Sequence, residues 1–520
     1  MNHILVLSWF LYISCDCYQI LALFPNYARS HHIFFSSLME TLSLRHHNVT
    51  VVNYYPMKKL STLHQIRFEV GDNGTILSAN NTKILHSSDV YRIYSKLRAY
   101  KTMANLHCRR LIVDTPELQR LVKCGAKFDV VIVEQFVSDC GLAIAHVLKA
   151  PAIGITAHIL LPWTYPRLGA INSLVPNYFF AFGSKPNFYK RIKNAIINIM
   201  ANGYYKYIIQ KSDQEIVNKV YPEVPNLEIL GKNMAMIMVN QYYPLTDSHL
   251  YGANVVEIGG MHVNESAEQL DESLKRFLDR TDLNGTVYIS FGSIITDVPQ
   301  QIIDAIITLI EKTNMKFVWK SEIPTWTPPE NVLLRKWLPQ VPTLCHPNIK
   351  AFISHLGMLS TTEAIHCGVP VVGVPLFSDE FANGQAAVDV GLGVVVDGLN
   401  LDGDVLENAL KVVLQDRYQR RAKELSRVWK DRPMSPMDTA VFWIEHVARN
   451  KGEVNMRPPS VKVPLYQYLM IDVILVLSAF FIITFLILIK ILNLLVIIVF
   501  GIVRRNDIFK ENICEKKKVI

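Results

Sequence analysis

FISHLGMLSTTEAIHCGVPVVGVPLFSDEFAN, residues 352–383, reads as a buried strand, a polar turn, a helix and a second strand. Ala351 to Ser354 is a short apolar run that ends at His355 and Gly357. Ser360 to Cys367 has helical character, Gly368 and Pro370 stop it, and Val371 to Val374 is apolar and rich in β-branched side chains. This is half of a parallel α/β unit. In such units ligands sit beyond the carboxyl ends of strands, where a helix start offers free N–H groups and a partial positive charge to phosphate. His355, Gly357 and Ser360 fall at that point.

The alternation continues on both sides of this stretch. Gln19 to Pro25 is strand-like, Asn26 to Ser30 a turn, the segment to Leu44 helical in spacing, and Val49 to Val52 a second strand. Phe128 to Val133 and Pro151 to Thr156 add strands, as do Val287 to Ser290, Lys316 to Trp319, Asn331 to Trp337 and Gly393 to Val396. Residues 58–123 mix polar turns and amphipathic pieces without a readable order. Leu161 to Tyr207 suits an apolar ligand pocket and ordinary helix packing equally. Gln241 to Asn254 is rich in turn residues, which places a domain change before the strand at Val255. The expectation is an α/β protein with two doubly wound Rossmann-like domains, 18–250 and 251–455.

At 520 residues, half of them apolar, the chain exceeds one core and fits two large domains with appendages. The net charge of +8 includes +3 from residues 504–520, and no basic cluster is interleaved with aromatics, so nucleic acid is excluded as a partner. Residues 1–17 read as a secretory signal, being apolar, shorter than the ~20 residues of a span, and ending in small side chains. Sequons at Asn48, Asn73, Asn80, Asn264 and Asn284 fit that route. Ile471 to Ile489 is almost uninterrupted apolar sequence, and 471–503 is read as one transmembrane segment before a basic cytoplasmic tail, 504–520. Lys517 and Lys518 stand in the spacing of a dilysine retrieval signal. Cys108, Cys124, Cys140, Cys345 and Cys367 lack metal-ligand spacing; buried thiols are expected, with room for one disulfide and at least one free thiol.

His355-x-Gly357-x-x-Ser360-x-x-Glu363, followed by Gly368-Val369-Pro370 and Pro375-Leu376-Phe377-x-Asp379, resembles the signature of the UDP-glycosyltransferase family, in its membrane-bound animal form. Phe24-Pro25 with Ser30-His31, Val255 to Gly260, Phe291-Gly292-Ser293, Trp337 to Gln340 and Asp431-Arg432-Pro433 before Ala440 to Trp443 agree in order. The resemblance implies a two-domain, GT-B type fold with the site in the cleft and the chain crossing back to the first domain after Asp431.

It also implies roles. Trp337 stacks on uracil, Gln340 and Glu363 take the ribose, Ser293, His355, Gly357 and Ser360 surround the diphosphate, and Asp379, Glu380 and Asn383 lie by the sugar. Glu380 stands where relatives usually have glutamine, which bears on donor choice and turnover. Leu356 stands where animal relatives commonly have glycine. His31 is the expected general base, with His32 one residue away as the alternative. Glu134 replaces the family's aspartate as its partner, with Asp139 the alternative and Asp129 structural.

The implied activity is transfer of a hexose, glucose before glucuronate, from a UDP-sugar to small lipophilic hydroxyl compounds with inversion, in the endoplasmic reticulum membrane with a luminal body. The UDP-sugar is a co-substrate; no cofactor or metal is implied, and homo- or hetero-oligomers are left open. The rival reading is a non-catalytic member that binds a ligand or a partner.

Overall fold

A computed structural model describes residues 17–69, 89–170, 179, 186–246, 249–264, 269–280, 283–292, 298–321, 323, 326–376 and 379–517. All but the last residue of the expected signal at 1–17, the sequons at Asn73 and Asn80, Ser293 and Lys518 lie outside these residues. Among the described residues, seven strands form a first parallel sheet: β1 Gln19–Leu23, β2 Asn48–Asn53, β3 Leu63–Arg67, β4 Val130–Glu134, β5 Ala152–Thr156, β6 Met236–Val239 and β7 Val255–Glu257. Their order is β3-β2-β1-β4-β5-β6-β7. The second sheet is also parallel, with order β10-β9-β8-β11-β12-β13. Its strands are β8 Thr286–Ser290, β9 Lys316–Lys320, β10 Val332–Arg335, β11 Ile349–Ser354, β12 Val371–Gly373 and β13 Gly393–Val395.

Central strands such as VVIVE (β4) and TVYIS (β8) are buried along their whole length. This is what helices on both faces of a parallel sheet produce, and it is why these strands read as unbroken apolar runs. Each sheet reverses strand order once, between β1 and β4 in the first and between β8 and β11 in the second. Crevices open at the carboxyl ends of such reversals.

Two expected boundaries shift. Val255–Glu257 pairs with β6 and completes the first sheet, so the first domain extends past residue 250. The helix Pro436–Arg449 presents Ala440, Val441, Ile444 and Val447 to the core beneath β1, β4 and β5, so this part of 251–455 packs with the first domain. Its apolar stripe fits that core, as the crossing back after Asp431 implied.

The cysteines correct the thiol reading. Cys108 is bonded to Cys140 and Cys345 to Cys367, and Cys124 is free and exposed. The pairs are 32 and 22 residues apart and meet only through tertiary packing, so spacing alone did not reveal them.

Lys462–Ile520 forms a separate unit. Its helix Ile471–Lys517 has 47 residues, of which Ile471–Asp507 is long and apolar enough to cross a membrane, with mean hydropathy 3.0. At 1.5 Å per residue the whole helix runs for about 70 Å, more than twice a ~30 Å hydrocarbon core. The helix therefore continues past residue 503, where the span was expected to end.

Candidate functional site

A cavity of about 960 Å³ opens where both sheets present strand ends. Asn26 and His31 follow β1, Phe136 follows β4, His158 follows β5, Gly292 follows β8, Trp337 follows β10, and His355 follows β11. Side chains from both strand-order reversals thus face one volume.

His31 lies in the first turn of the helix Arg29–Leu44, and Glu134 is the last residue of β4. Nδ1 of His31 is 2.6 Å from Glu134 Oε1, and Asn26 Nδ2 lies 3.0 Å from the same nitrogen. The Asn26 backbone N–H donates to the other Glu134 oxygen at 3.3 Å. A carboxylate held this way fixes the proton on Nδ1 and leaves Nε2 free to accept one. The extra methylene of glutamate therefore does not prevent the pairing. His32 turns elsewhere, near Asn53 and the Tyr55 ring, and burial lowers its pKa.

Asp139 is not a second partner for His31. Arg167 donates to both of its oxygens at 2.8 and 2.7 Å, and Tyr205 and Gln210 donate at 2.8 and 2.9 Å. Arg167 and Asp139 are both buried, and a buried pair whose carboxylate accepts four hydrogen bonds, none of them from His31, is structural. Asp129 accepts from the Gln19 backbone N–H at 2.7 Å, also a structural role. Cys108, Cys140 and Asp213 lie together within 4.8 Å, but the disulfide consumes both sulfurs, so this is no thiolate site. Burial raises the Asp213 carboxyl to about 8, and Ser138 donates to it at 2.7 Å.

In the second half, Gln340 donates to Ser360 Oγ at 2.9 Å and to Glu363, and it accepts from Tyr288 at 3.1 Å. His262 Nε2 lies 3.1 Å from the other Glu363 oxygen. Gly357 caps the helix Met358–Cys367 with no side-chain hydrogen bond, so the first N–H groups of that helix remain available to a ligand.

The His355 ring packs so closely on Gly292 and Gly357 that a Cβ at either would lie 2.7 or 2.5 Å from its Nε2. Burial lowers the His355 pKa to about 4, so it is neutral, and its Nδ1 has no protein partner. Leu356, at φ 66°, fills space beside Gly373 and Gly384. Asn383 donates to the Leu356 carbonyl at 3.0 Å and to Asp379 at 2.9 Å, tying the two loops together.

Glu380 is buried and accepts the Leu376 N–H at 2.7 Å, so one of the oxygens expected at the sugar is engaged by backbone. Trp337 is 41% exposed, with the Arg29 guanidinium 4.1 Å and the Lys320 amino group 4.2 Å from its ring centroid.

The sequence reading missed the apolar wall of the first half. Ile93, Lys96, Tyr100 and Met103, on the helix Asp89–Ile112, line the cavity with Phe136 and Phe179. Ile93, Leu97, Tyr100 and Ala104 recur at helical spacing, a signal that polar neighbours obscured. Leu161 to Tyr207 divides between roles, since Trp163 stacks on Tyr205 at 4.5 Å as packing. His262 was also missed, because a single histidine after a glycine pair carries no spacing.

The family model described as "UDP-glucoronosyl and UDP-glucosyl transferase" matches residues 21–506. The chain is 33% identical over 468 residues to UDP-glucosyltransferase 2 of Dactylopius coccus, covering 88% of this chain and 89% of that protein. It is 29% identical over 474 residues to human UDP-glucuronosyltransferase 1A8, covering 86% of each. Among solved structures it is similar to the glycotransferase of kitacinnamycin, with a TM-score of 0.57, 16% identity, and 82% of this chain and 99% of that one covered. CalG4, the calicheamicin glycosyltransferase, gives a TM-score of 0.55 at 14% identity, covering 85% and 100%. These two likenesses bear on the fold.

Proposed function

The chain belongs to the UDP-glucuronosyl and UDP-glucosyl transferase family, so it is a UDP-glycosyltransferase of GT-B fold, and we propose that His31 is the general base of an inverting hexosyl transfer. The observation that carries this reading is the 2.6 Å contact between His31 and Glu134 at the strand-order reversal of the first sheet. An acceptor hydroxyl gives its proton to His31 Nε2 as its oxygen bonds to the anomeric carbon. The bond to the phosphate oxygen breaks on the opposite face, and UDP leaves with the electron pair. The imidazolium formed faces Glu134, whose charge stabilises it.

The donor half suits a nucleotide diphosphate. Trp337 offers a ring to the base, Gln340 and Glu363 offer hydrogen bonds to the ribose, and the start of the helix Met358–Cys367 with His355 receives the diphosphate. Apolar side chains on the other wall favour a small lipophilic acceptor.

The proposed donor is a neutral UDP-hexose, UDP-glucose before UDP-glucuronate. Asp379 and Glu380 already place two carboxylates at this end, and a third charge meets repulsion. The proposed setting is the endoplasmic reticulum membrane with a luminal body. Two disulfides in the body fit an oxidising compartment, and the basic run after residue 503 fits the cytosolic side.

The test is turnover by the full chain in microsomes with UDP-glucose and UDP-glucuronate in competition over a panel of phenols. Faster use of UDP-glucose, lost in His31→Ala, is the expected result. Use of neither donor, with UDP still bound, would favour the non-catalytic reading.

A further inference from the structure

A second imidazole stands beside His31 on the acceptor side of the cavity. β1, β4 and β5 are neighbours in the first sheet, and the segments beyond their carboxyl ends carry His31, Phe136 and His158. The His158 ring lies 5.7 Å from the His31 ring, centroid to centroid. Phe136 packs against both, 4.8 Å from His158 and 5.5 Å from His31. All three line the cavity.

The loop after β5 holds this ring in place. Asn240 Nδ2 donates to the Ala157 carbonyl at 2.8 Å, and Thr156 Oγ1 donates to the His158 carbonyl at 2.5 Å. Nδ1 of His158 lies 2.6 Å from the Ile159 carbonyl. A carbonyl only accepts, so Nδ1 carries the proton and Nε2 the lone pair. Glu134 fixes the same tautomer on His31. Burial lowers the His158 pKa to about 4, so the ring is neutral near pH 7 and binds a hydroxyl without taking its proton.

The two rings therefore differ in task. His31, backed by a carboxylate, is stabilised as an imidazolium, whereas His158 is backed only by a carbonyl. His158 offers a hydrogen-bond acceptor in a wall that Ile93, Met103 and Phe136 make largely apolar. A lipophilic molecule answers it with a second hydroxyl. Across 5.7 Å between rings, hydroxyls on adjacent carbons reach one nitrogen each, and hydroxyls at opposite ends of a molecule do not. Phe136 suits an aromatic carrier for them.

We propose that His158 determines acceptor specificity: its Nε2 accepts a hydrogen bond from the hydroxyl next to the one that His31 deprotonates, so that the site selects aromatic compounds with two hydroxyls on neighbouring carbons. The assignment rests on His31 as the base and adds the class of acceptor.

The test compares phenol, catechol and hydroquinone on the full chain in micelles. Calorimetry with UDP saturating gives a dissociation constant for each, and steady-state rates with UDP-glucose give each kcat/KM. The wild type should favour catechol over the other two by about tenfold or more. His158→Phe should bring that ratio near unity, and His158→Gln, which returns an acceptor, should restore part of it. A ratio taken within one variant does not depend on how much of it folds. Equal binding of the three compounds by the wild type overturns the proposal, a comparison that stands even where a variant loses UDP binding. So does a catechol preference that survives His158→Phe. Preferential binding of catechol with no turnover would sink the catalytic reading and leave the ligand class standing; equal binding and equal turnover of all three would do the reverse.

Discussion

Glu134 holds His31 from the neighbouring strand of the sheet, 103 positions further along the chain and with 2.6 Å between carboxylate and ring. The loop that carries Asn26 closes on the same carboxylate. Removing the base by His31→Ala should lower kcat by roughly 10²–10⁴ and leave UDP binding nearly intact, whereas His32→Ala should be mild. Glu134→Gln should lower kcat with little change in the KM for the donor, because the carboxylate acts through the imidazole. Steady-state kinetics with calorimetric UDP titration decide this. Wild-type turnover in His31→Ala would remove the histidine from its role.

Lys96 approaches the acidic pair Asp379 and Glu380 from the opposite wall of the cavity. Burial lowers its amino group to about 8, against the pull of Glu380 and then Asp379. Above about pH 8 it loses its charge and the two carboxylates face the donor uncompensated. The KM for a UDP-sugar should therefore rise above that pH, and Lys96→Met should abolish the step. Glu380→Gln can still accept the Leu376 N–H, yet it removes one negative charge. The ratio of kcat/KM for UDP-glucuronate to that for UDP-glucose should then rise about tenfold, the equivalent of ~1.4 kcal/mol. An unchanged ratio would show that charge at 380 does not select the donor.

Three buried histidines, His107, His158 and His355, have pKa values lowered to about 4, in each case chiefly by burial. Their folded pKa lies below the ordinary 6.5, so between those values the unfolded chain binds more protons than the folded one. Stability is full above pH 6.5 and falls as pH drops toward 4, by on the order of 3 kcal/mol per histidine at most. The thermal midpoint of the purified chain in micelles should fall across that window. His355→Asn should flatten part of the slope, and a midpoint constant from pH 7 to 5 would refute the assignment.

Leu356 sets backbone strain against packing. Its φ of 66° costs roughly 1–3 kcal/mol for a residue other than glycine, but its fully buried side chain fills the space left by Gly373 and Gly384. Emptying such a site typically costs about 2–5 kcal/mol. Leu356→Gly should therefore be net destabilising by about 1–2 kcal/mol in spite of relaxing the backbone. Thermal unfolding of the variant measures the balance, and a stabilised variant would reverse it.

The two sheets were legible because central strands such as Val130–Glu134 and Thr286–Ser290 are covered on both faces and read as unbroken apolar runs. β3, LHQIR, was not legible, since an edge strand with half its side chains near water carries no such run. β6, MIMV, was not legible either, since it begins four residues after the helix Leu227–Lys232 and its two methionines favour a helix. His31, Trp337, Gln340, His355, Gly357, Ser360, Glu363, Asp379 and Glu380 were legible as residues that share one cavity because their spacing and order make a pattern. Asp139 was misjudged as an alternative partner because nearness in sequence to Glu134 says nothing of direction; Arg167, 28 residues on, takes it the other way. The wall at Ile93, Tyr100 and Met103 follows from helix docking that no local pattern reports.

Arg29 lies on the Trp337 ring, two residues before His31. Stacking of a base on an aromatic ring is worth roughly 1–3 kcal/mol, whereas an exposed cation–π contact yields ~0.5–1 kcal/mol. An arriving base therefore wins the ring, and the guanidinium it expels belongs to the turn that carries His31. If the base stacks on Trp337 as proposed, donor binding and release of that turn are one event, and initial-rate kinetics should show a compulsory order, nucleotide sugar first and hydroxyl compound second.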